Sequence, residues 1–277
     1  MDGRILVTSG GALAWAAALG LIVRWRSTRR VARVDPGDAS LGVRVAGSVA
    51  RTSGSVAGAL LAGAIVLGLG GRLLMRVLAA TSPDEAQGRV TDAEEVVGAV
   101  TLEGTIGLVV FVGLAGGLAG LALYALLRRW LPDRSIPAGL VVGGIGAGLL
   151  GRPTGLLDPE NRDFAILSPT WLAVVLALAL LVTFALLAAV LIDRWAASWP
   201  RPGPSPRGVA AVLPLAPLLL FPPVAAVVAG AVVLGASPRR SEASPSTSGD
   251  RVVRAGLMLA AAIGTAWTLA GAGQILT

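Results

Sequence analysis

The sequence predicts an all-α fold, a polytopic transmembrane helix bundle of seven spans forming a single integral membrane domain over residues 1–277. Three observations carry that reading. Apolar residues make up 55% of the chain, charged residues only 14%, and the mean hydropathy is +0.77; soluble domains carry about one-quarter charged residues. Apolar runs recur at the length needed to cross a hydrocarbon core of about 30 Å, roughly 20 helical residues. Arginine and tryptophan stand together at the ends of alternate runs, where headgroup depth favours both.

The first run, Ile5 to Val23, is followed directly by the basic tract RWRSTRRVAR and preceded by a single arginine. A cleaved secretory signal carries its charge before the apolar core, so this run reads as a retained helix with its N-terminus outside. Residues 24–55 form a basic cytoplasmic linker, broken at Asp35-Pro36-Gly37-Asp38, with a short interfacial helix expected over Leu41 to Thr52. Further spans are expected at Val56–Leu74, Thr105–Leu127, Ile136–Leu150, Trp171–Ile192, Val209–Leu234 and Gly256–Ile275. The fourth is short and needs snorkelling by Arg134 and Arg152.

Helices one, three and five end in Arg24-Trp25-Arg26, Arg128-Arg129-Trp130 and Arg194-Trp195, which assigns those three ends to the cytoplasm. Thirteen arginines then fall inside and eight outside, with Arg72 and Arg76 near the outer end of helix two. The predicted localisation is the cell membrane, with the C-terminus inside. One segment disagrees: Arg239, Arg240, Arg251 and Arg254 lie in the loop Ala236 to Arg254, which alternation places outside. The span before it contains Pro214, Pro217, Pro222 and Pro223, which kink or break a helix. A kinked full span is the expectation for it; six spans plus a re-entrant segment is the alternative. The Ser/Pro-rich loop 236–254 is expected to be disordered.

All 23 basic residues are arginine, and lysine, histidine and cysteine are absent. A retinal Schiff base needs a lysine amine, so that class of seven-helix protein is excluded. Histidine-ligated haem, thiolate clusters, Cys/His zinc sites and Ser/His or Cys/His nucleophilic pairs fall with the missing side chains. No cofactor, metal site or catalytic residue is predicted, and no nucleic-acid partner. No carboxylate occupies the middle third of a span, where coupled transporters commonly place one. Glycines at small-xxx-small spacing (Gly113/Gly117, Gly116/Gly120, Gly139/Gly143, Gly144/Gly148) predict close helix packing within the bundle, with a homo-oligomer face as the alternative.

The candidate site lies on the outer face. Arg72 and Arg76, four residues apart, share one side of helix two, and Glu103 opens helix three beyond an acidic outer loop, residues 80–104. In that loop Ser82-Pro83-Asp84-Glu85 and Thr91-Asp92-Ala93-Glu94 both carry the capping-box pattern, predicting two short helices. The second outer loop repeats the scheme: Gly151-Arg152 echoes Gly71-Arg72, and the acidic turn Asp158-Pro159-Glu160-Asn161-Arg162-Asp163 precedes Ser168-Pro169, expected to cap helix five. The predicted ligand-binding set is Arg72, Arg76, Glu103, Arg152, Asp158, Glu160, Asn161 and Asp163. Its chemistry suits an anionic ligand, a lipid headgroup or a partner membrane protein. The leading expectation is a non-catalytic membrane protein; the alternatives are a small-solute transporter using the kinked sixth helix and, last, a metal-dependent lipid-modifying enzyme using Asp158, Glu160 and Asp163.

At GRLLMR, SPDEAQGR, TLEGT and LDPENRDF the chain resembles uncharacterised bacterial multi-pass membrane proteins that share a GR-x-x-MR helix end and an LDP-x-N-x-DF outer turn. The resemblance covers roughly Gly63 to Ile192. It implies a common helical core and no activity.

Overall fold

The computed structural model describes residues 41–91, 96–98, 101–128, 130–161 without 151–156, 163–220, the short pieces 222–223, 225–226 and 229–230, and 248–276. The expected first helix, most of the basic linker, Glu94, Glu95, Arg152, Arg162 and most of the loop 236–254 lie outside these residues. Among the described residues the fold is all-helical; the one β feature is an isolated bridge between Val90 and Val96.

Helix α1 runs without a break through Leu41–Ala62, a π-helical stretch Gly63–Gly70 and Gly71–Thr81. Helix α2 has the same plan: Leu102–Gly107, π-helical Leu108–Leu114 and Ala115–Leu127. Then come α3 (Ser135–Leu150), α4 (Thr170–Ser198), the short α5 (Pro206–Ala210) continued by a 3-10 stretch Leu213–Leu220, and α6 (Ser248–Leu276). Among the described residues four helices, α1, α2, α4 and α6, are long and apolar enough to cross a membrane; α3 and Pro206–Leu220 are apolar but shorter.

The interfacial helix expected over Leu41 to Thr52 and the span after it are one element. Nothing between them breaks the backbone: Thr52, Ser53 and Gly54 are tolerated inside a helix whose i→i−4 bonds are local, and Gly54 sits against the Trp195 carbonyl, with the Trp199 Cβ 2.8 Å from where a side chain would begin.

Glycine determines how closely the helices approach. Gly63 faces the Gly113 carbonyl and Gly117, and Gly68 faces Val109, so α1 and α2 run antiparallel with backbones in contact along both π-helical stretches. Gly139 meets Ala185 and Ala189 of α4, Gly143 meets Ala185, and Gly144 and Gly148 meet Ala261, Gly264 and Thr265 of α6. Gly116 and Gly120 face Leu67 and Phe184. All eight glycines singled out by spacing are therefore occupied within the chain. Around them Val56, Ala59, Leu118, Leu121, Val141, Leu180, Leu187 and Ile192 build one apolar core. Thr265 and Thr268 return their hydroxyls to the carbonyls of Ala261 and Gly264, both at 2.8 Å, so neither needs an interhelical partner.

Helix direction departs from the expected alternation. Gly144 lies against Ala261 and Gly148 against Gly264, so the contacts advance in the same direction along both helices and α3 and α6 run parallel. The far end of α6 confirms it: Gly271 abuts the Leu157 carbonyl, and Ala272 packs with Leu157, Val174 and Ala177 near the start of α4. The chain thus leaves α4 and enters α6 at the same end of the bundle, whereas seven full spans would enter α6 at the opposite end. The stretch between begins as one turn of α-helix and a 3-10 segment containing Pro214 and Pro217, not as a continuous long helix. Proline supplies the reason, since each one removes an N–H and crowds the preceding turn.

Candidate functional site

The loops that follow α1 and α3 form one cap at one end of the bundle. Leu78 at the end of α1, Val97 of the first loop, and Leu167 and Ala173 of the second share a small apolar cluster with Leu74, Phe164 and Leu172 at its edge. Ser82 Oγ donates to the Leu78 carbonyl at 2.8 Å and accepts from the Ser168 backbone N–H at 2.9 Å. Gln87 Nε2 donates to the Ala79 carbonyl at 2.7 Å. The loop then turns back on itself between Gly88 (φ 78) and Gly98 (φ 87), closed by Gly88 N–H to the Val97 carbonyl and Val97 N–H to the Arg89 carbonyl. Both glycines occupy the left-handed region that other residues rarely adopt.

Ser82 and Ser168 depart from their expected roles. The capping box at Ser82-Pro83-Asp84-Glu85 does not form: Pro83 holds the capping position of a single 3-10 turn, Asp84–Ala86, without a side-chain bond, because the Ser82 hydroxyl serves Leu78 and Ser168 instead. Pro169 likewise precedes α4 without a side-chain cap, and Ser168 contributes its backbone to Ser82. The second expected short helix, at Thr91 to Glu94, lies outside the described residues beyond Thr91. The side-chain cap that does form here is Thr101, whose Oγ1 accepts from Gly104 N–H at 3.1 Å and opens α2.

Arg72 is 6% exposed, and its Nη2 points to the Thr101 carbonyl at 3.5 Å, tying the last turns of α1 to the start of α2. Glu103, expected opposite it, is exposed in the first turn of α2. Arg76, one turn further along α1, is half-buried and makes no hydrogen bond or ion pair to a described residue. In the second loop Asp158 Oδ1 accepts from Glu160 N–H at 3.2 Å, and Asn161 Oδ1 accepts from Asp163 N–H at 2.8 Å. Asn161 thereby caps the single turn Asp163–Ile166. Glu160 is exposed, and no group of three carboxylates among the described residues is placed to hold a metal ion. Arg152 lies outside the described residues, so its proposed equivalence to Arg72 has no geometry. Of the eight predicted residues, Arg72 and Arg76 share one helix side, and Asp158, Asn161 and Asp163 share one turn.

The opposite end holds a polar cluster that sequence reasoning did not single out. Asp193, near the end of α4, is 8% exposed; Tyr124 Oη donates to its Oδ1 at 2.7 Å and Ser135 Oγ to its Oδ2 at 2.8 Å. Three helices, α2, α3 and α4, meet on that carboxylate, and it lies at the start of α3, where the helix dipole favours negative charge. The available signal was Tyr124, the only tyrosine in the chain. Beside this cluster Trp195 and Trp199 stand with ring centroids 5.4 Å apart, and Trp199 Nε1 donates to the Ala211 carbonyl at 2.9 Å, pinning α5 to the end of α4.

Comparison of the chain with family models, with curated proteins and with solved structures finds no match.

Proposed function

We propose that this chain is a non-catalytic multi-pass integral membrane protein of the cell membrane whose outer cap binds an anionic group, that of a lipid headgroup, through Arg76. Spacing along α1 supports the membrane reading. Arg51 and Arg72 are 21 residues apart, about 31 Å at the helical rise, which matches a hydrocarbon core of about 30 Å. Between them the outward faces are apolar: Leu61, Ile65 and Leu69 of α1 are exposed, as is Phe111 of α2, which is 76% exposed. Exposed apolar surface on this scale is stable against lipid and not against water.

In this reading the cap faces outside and the Asp193 end faces the cytoplasm. The parallel direction of α6 supports a re-entrant segment after α5, and it moves Arg251 and Arg254 to the cytoplasmic side, in keeping with the positive-inside bias.

The observation that carries the ligand is Arg76. A half-buried guanidinium at the edge of the hydrocarbon, without a protein partner among the described residues, is stabilised by a phosphate or carboxylate. Arg72 differs, because its geometry is that of a structural tie. The test is native mass spectrometry of the full chain with added phosphatidylglycerol or phosphatidylcholine. Arg76→Gln is expected to lose one retained anionic lipid with the fold intact, while Arg72→Gln lowers stability. Unchanged lipid retention by Arg76→Gln contradicts the proposal.

A second reading, passage of a small solute, rests on the proline-broken Leu213–Leu220 stretch, whose Leu218 is buried in the main core. Solute uptake by vesicles containing the protein tests it.

A further inference from the structure

We propose that the proline-broken stretch after α5 opens a wetted site halfway into the bilayer, at the Leu219 carbonyl, for water and small neutral solutes that carry O–H or N–H donors. The proposal rests on the membrane reading and carries the second reading, solute passage, further; Arg76 plays no part in it.

Proline decides which carbonyls of this stretch are served. In a 3-10 ladder a carbonyl accepts from the N–H three residues on, and in an α ladder from the one four on. Proline has no N–H to give. Ala211 meets the first gap: residue 214 is proline, and the Leu215 N–H, four on, is taken by the Val212 carbonyl at 3.0 Å. The Trp199 indole fills that gap, donating to the Ala211 carbonyl at 2.9 Å. Leu219 meets a wider one. The residues three and four beyond it are Pro222 and Pro223, so neither ladder serves its carbonyl. Among the described residues no side chain does for Leu219 what Trp199 does for Ala211.

The open carbonyl lies deep in the bundle. The indole bond holds Ala211 at the Trp195–Trp199 end, and the stretch then packs along α1 and buries Leu218 in the main core. Leu219 comes eight residues after Ala211, about 16 Å at the 3-10 rise, which is half of a hydrocarbon core of about 30 Å.

At that depth an open carbonyl has two stable surroundings, protein or water, because hydrocarbon offers it no donor. Protein does not enclose this one: Leu219 is 82% exposed and Leu220 75%, and Pro222 and Pro223 are exposed after them. Water is what remains. A carbonyl oxygen accepts and cannot donate, so it selects donors. Carrying no formal charge, it holds a neutral solute about as firmly as the water it replaces, which suits passage better than storage.

The test uses the full chain in sealed vesicles, with a small charged methanethiosulfonate reagent added from the Ser205 side. Three successive residues of a 3-10 helix point in three directions, so Leu218→Cys, Leu219→Cys and Leu220→Cys sample every face of the stretch. Leu219 and Leu220 are exposed, so those two variants keep the fold. A thiol must ionise to react, and hydrocarbon raises its pKa. At least one of the three is expected to be modified about tenfold faster than Leu69→Cys, which faces lipid in this reading, the effect of a pKa difference of about one unit. Pro223→Ala gives the Leu219 carbonyl an α-ladder donor, and in that background the modification is expected to fall about tenfold, to the Leu69→Cys rate. If Leu69→Cys is slow and none of the three exceeds it, this proposal alone is overturned. Unchanged modification with Pro223→Ala also overturns it, since the open carbonyl would not be what draws water in. Leu69→Cys reacting as fast as Ser205→Cys overturns the membrane reading beneath it as well.

Discussion

Ser82 and Ser168, 86 positions apart in sequence, hold the two loops of the cap together: the Ser168 backbone N–H donates to Ser82 Oγ at 2.9 Å while the same hydroxyl caps the Leu78 carbonyl. Ser82→Ala removes the acceptor and leaves the apolar cluster beneath it in place. The expected cost is about 1 kcal/mol, that of an ordinary partly exposed hydrogen bond. Thermal denaturation in detergent measures it, and hydrogen exchange should rise in both loops together. Faster exchange in one loop only would mean that they are not joined through this serine.

Asp193 is the residue on which α2, α3 and α4 converge, so its loss strands two buried hydroxyls. Asp193→Ala is expected to destabilise the protein by about 3 kcal/mol, because Tyr124 Oη and Ser135 Oγ both lose their acceptor. Tyr124→Phe removes one bond and is expected to cost about 1 kcal/mol. In a double-mutant cycle the pair should be non-additive. Additive effects would contradict a shared network.

Close helix approach makes two glycines intolerant of a single methyl. Gly63→Ala drives a Cβ into the Gly113 carbonyl, and Gly264→Ala drives one into the Gly144 carbonyl. Backbone cannot rotate away as a side chain can, so each is expected to cost about 1–3 kcal/mol. Gly107, also helical, has open space around its Cβ position, and Gly107→Ala should be neutral or stabilising by up to about 1 kcal/mol. Denaturation midpoints of the three variants check the order. A Gly63→Ala protein as stable as Gly107→Ala would show that α1 and α2 are not in backbone contact.

Much of the helical plan was legible because hydrophobic length is a strong signal. Thr105–Leu127, Ile136–Leu150, Trp171–Ile192 and Gly256–Ile275 all fall within described helices, and the small-xxx-small glycines sit at contacts. Hydropathy sees where a helix is greasy and not where its backbone continues, so α1 extends past its apolar stretch at both ends, through Arg51 and Arg76. Asp193 lies between the apolar run that ends at Ile192 and the Arg194-Trp195 pair, where hydropathy carries no sign of a partner; only the fold brings Tyr124 and Ser135 to it. Helix direction after α5 escaped for a different reason. Prolines announce a broken segment but do not say whether the chain crosses or turns back, and that information lies in the long-range contacts of Gly144 and Gly148 with α6.

The arrangement of the two ends is tested most directly by single-cysteine labelling in sealed vesicles, which the cysteine-free chain allows without background. Asp84→Cys and Glu160→Cys should react with a membrane-impermeant maleimide from one side only, and Ser205→Cys and Arg251→Cys only from the other. Arg251→Cys reacting on the same side as Asp84→Cys would contradict the account, because α6 would then cross in the opposite sense.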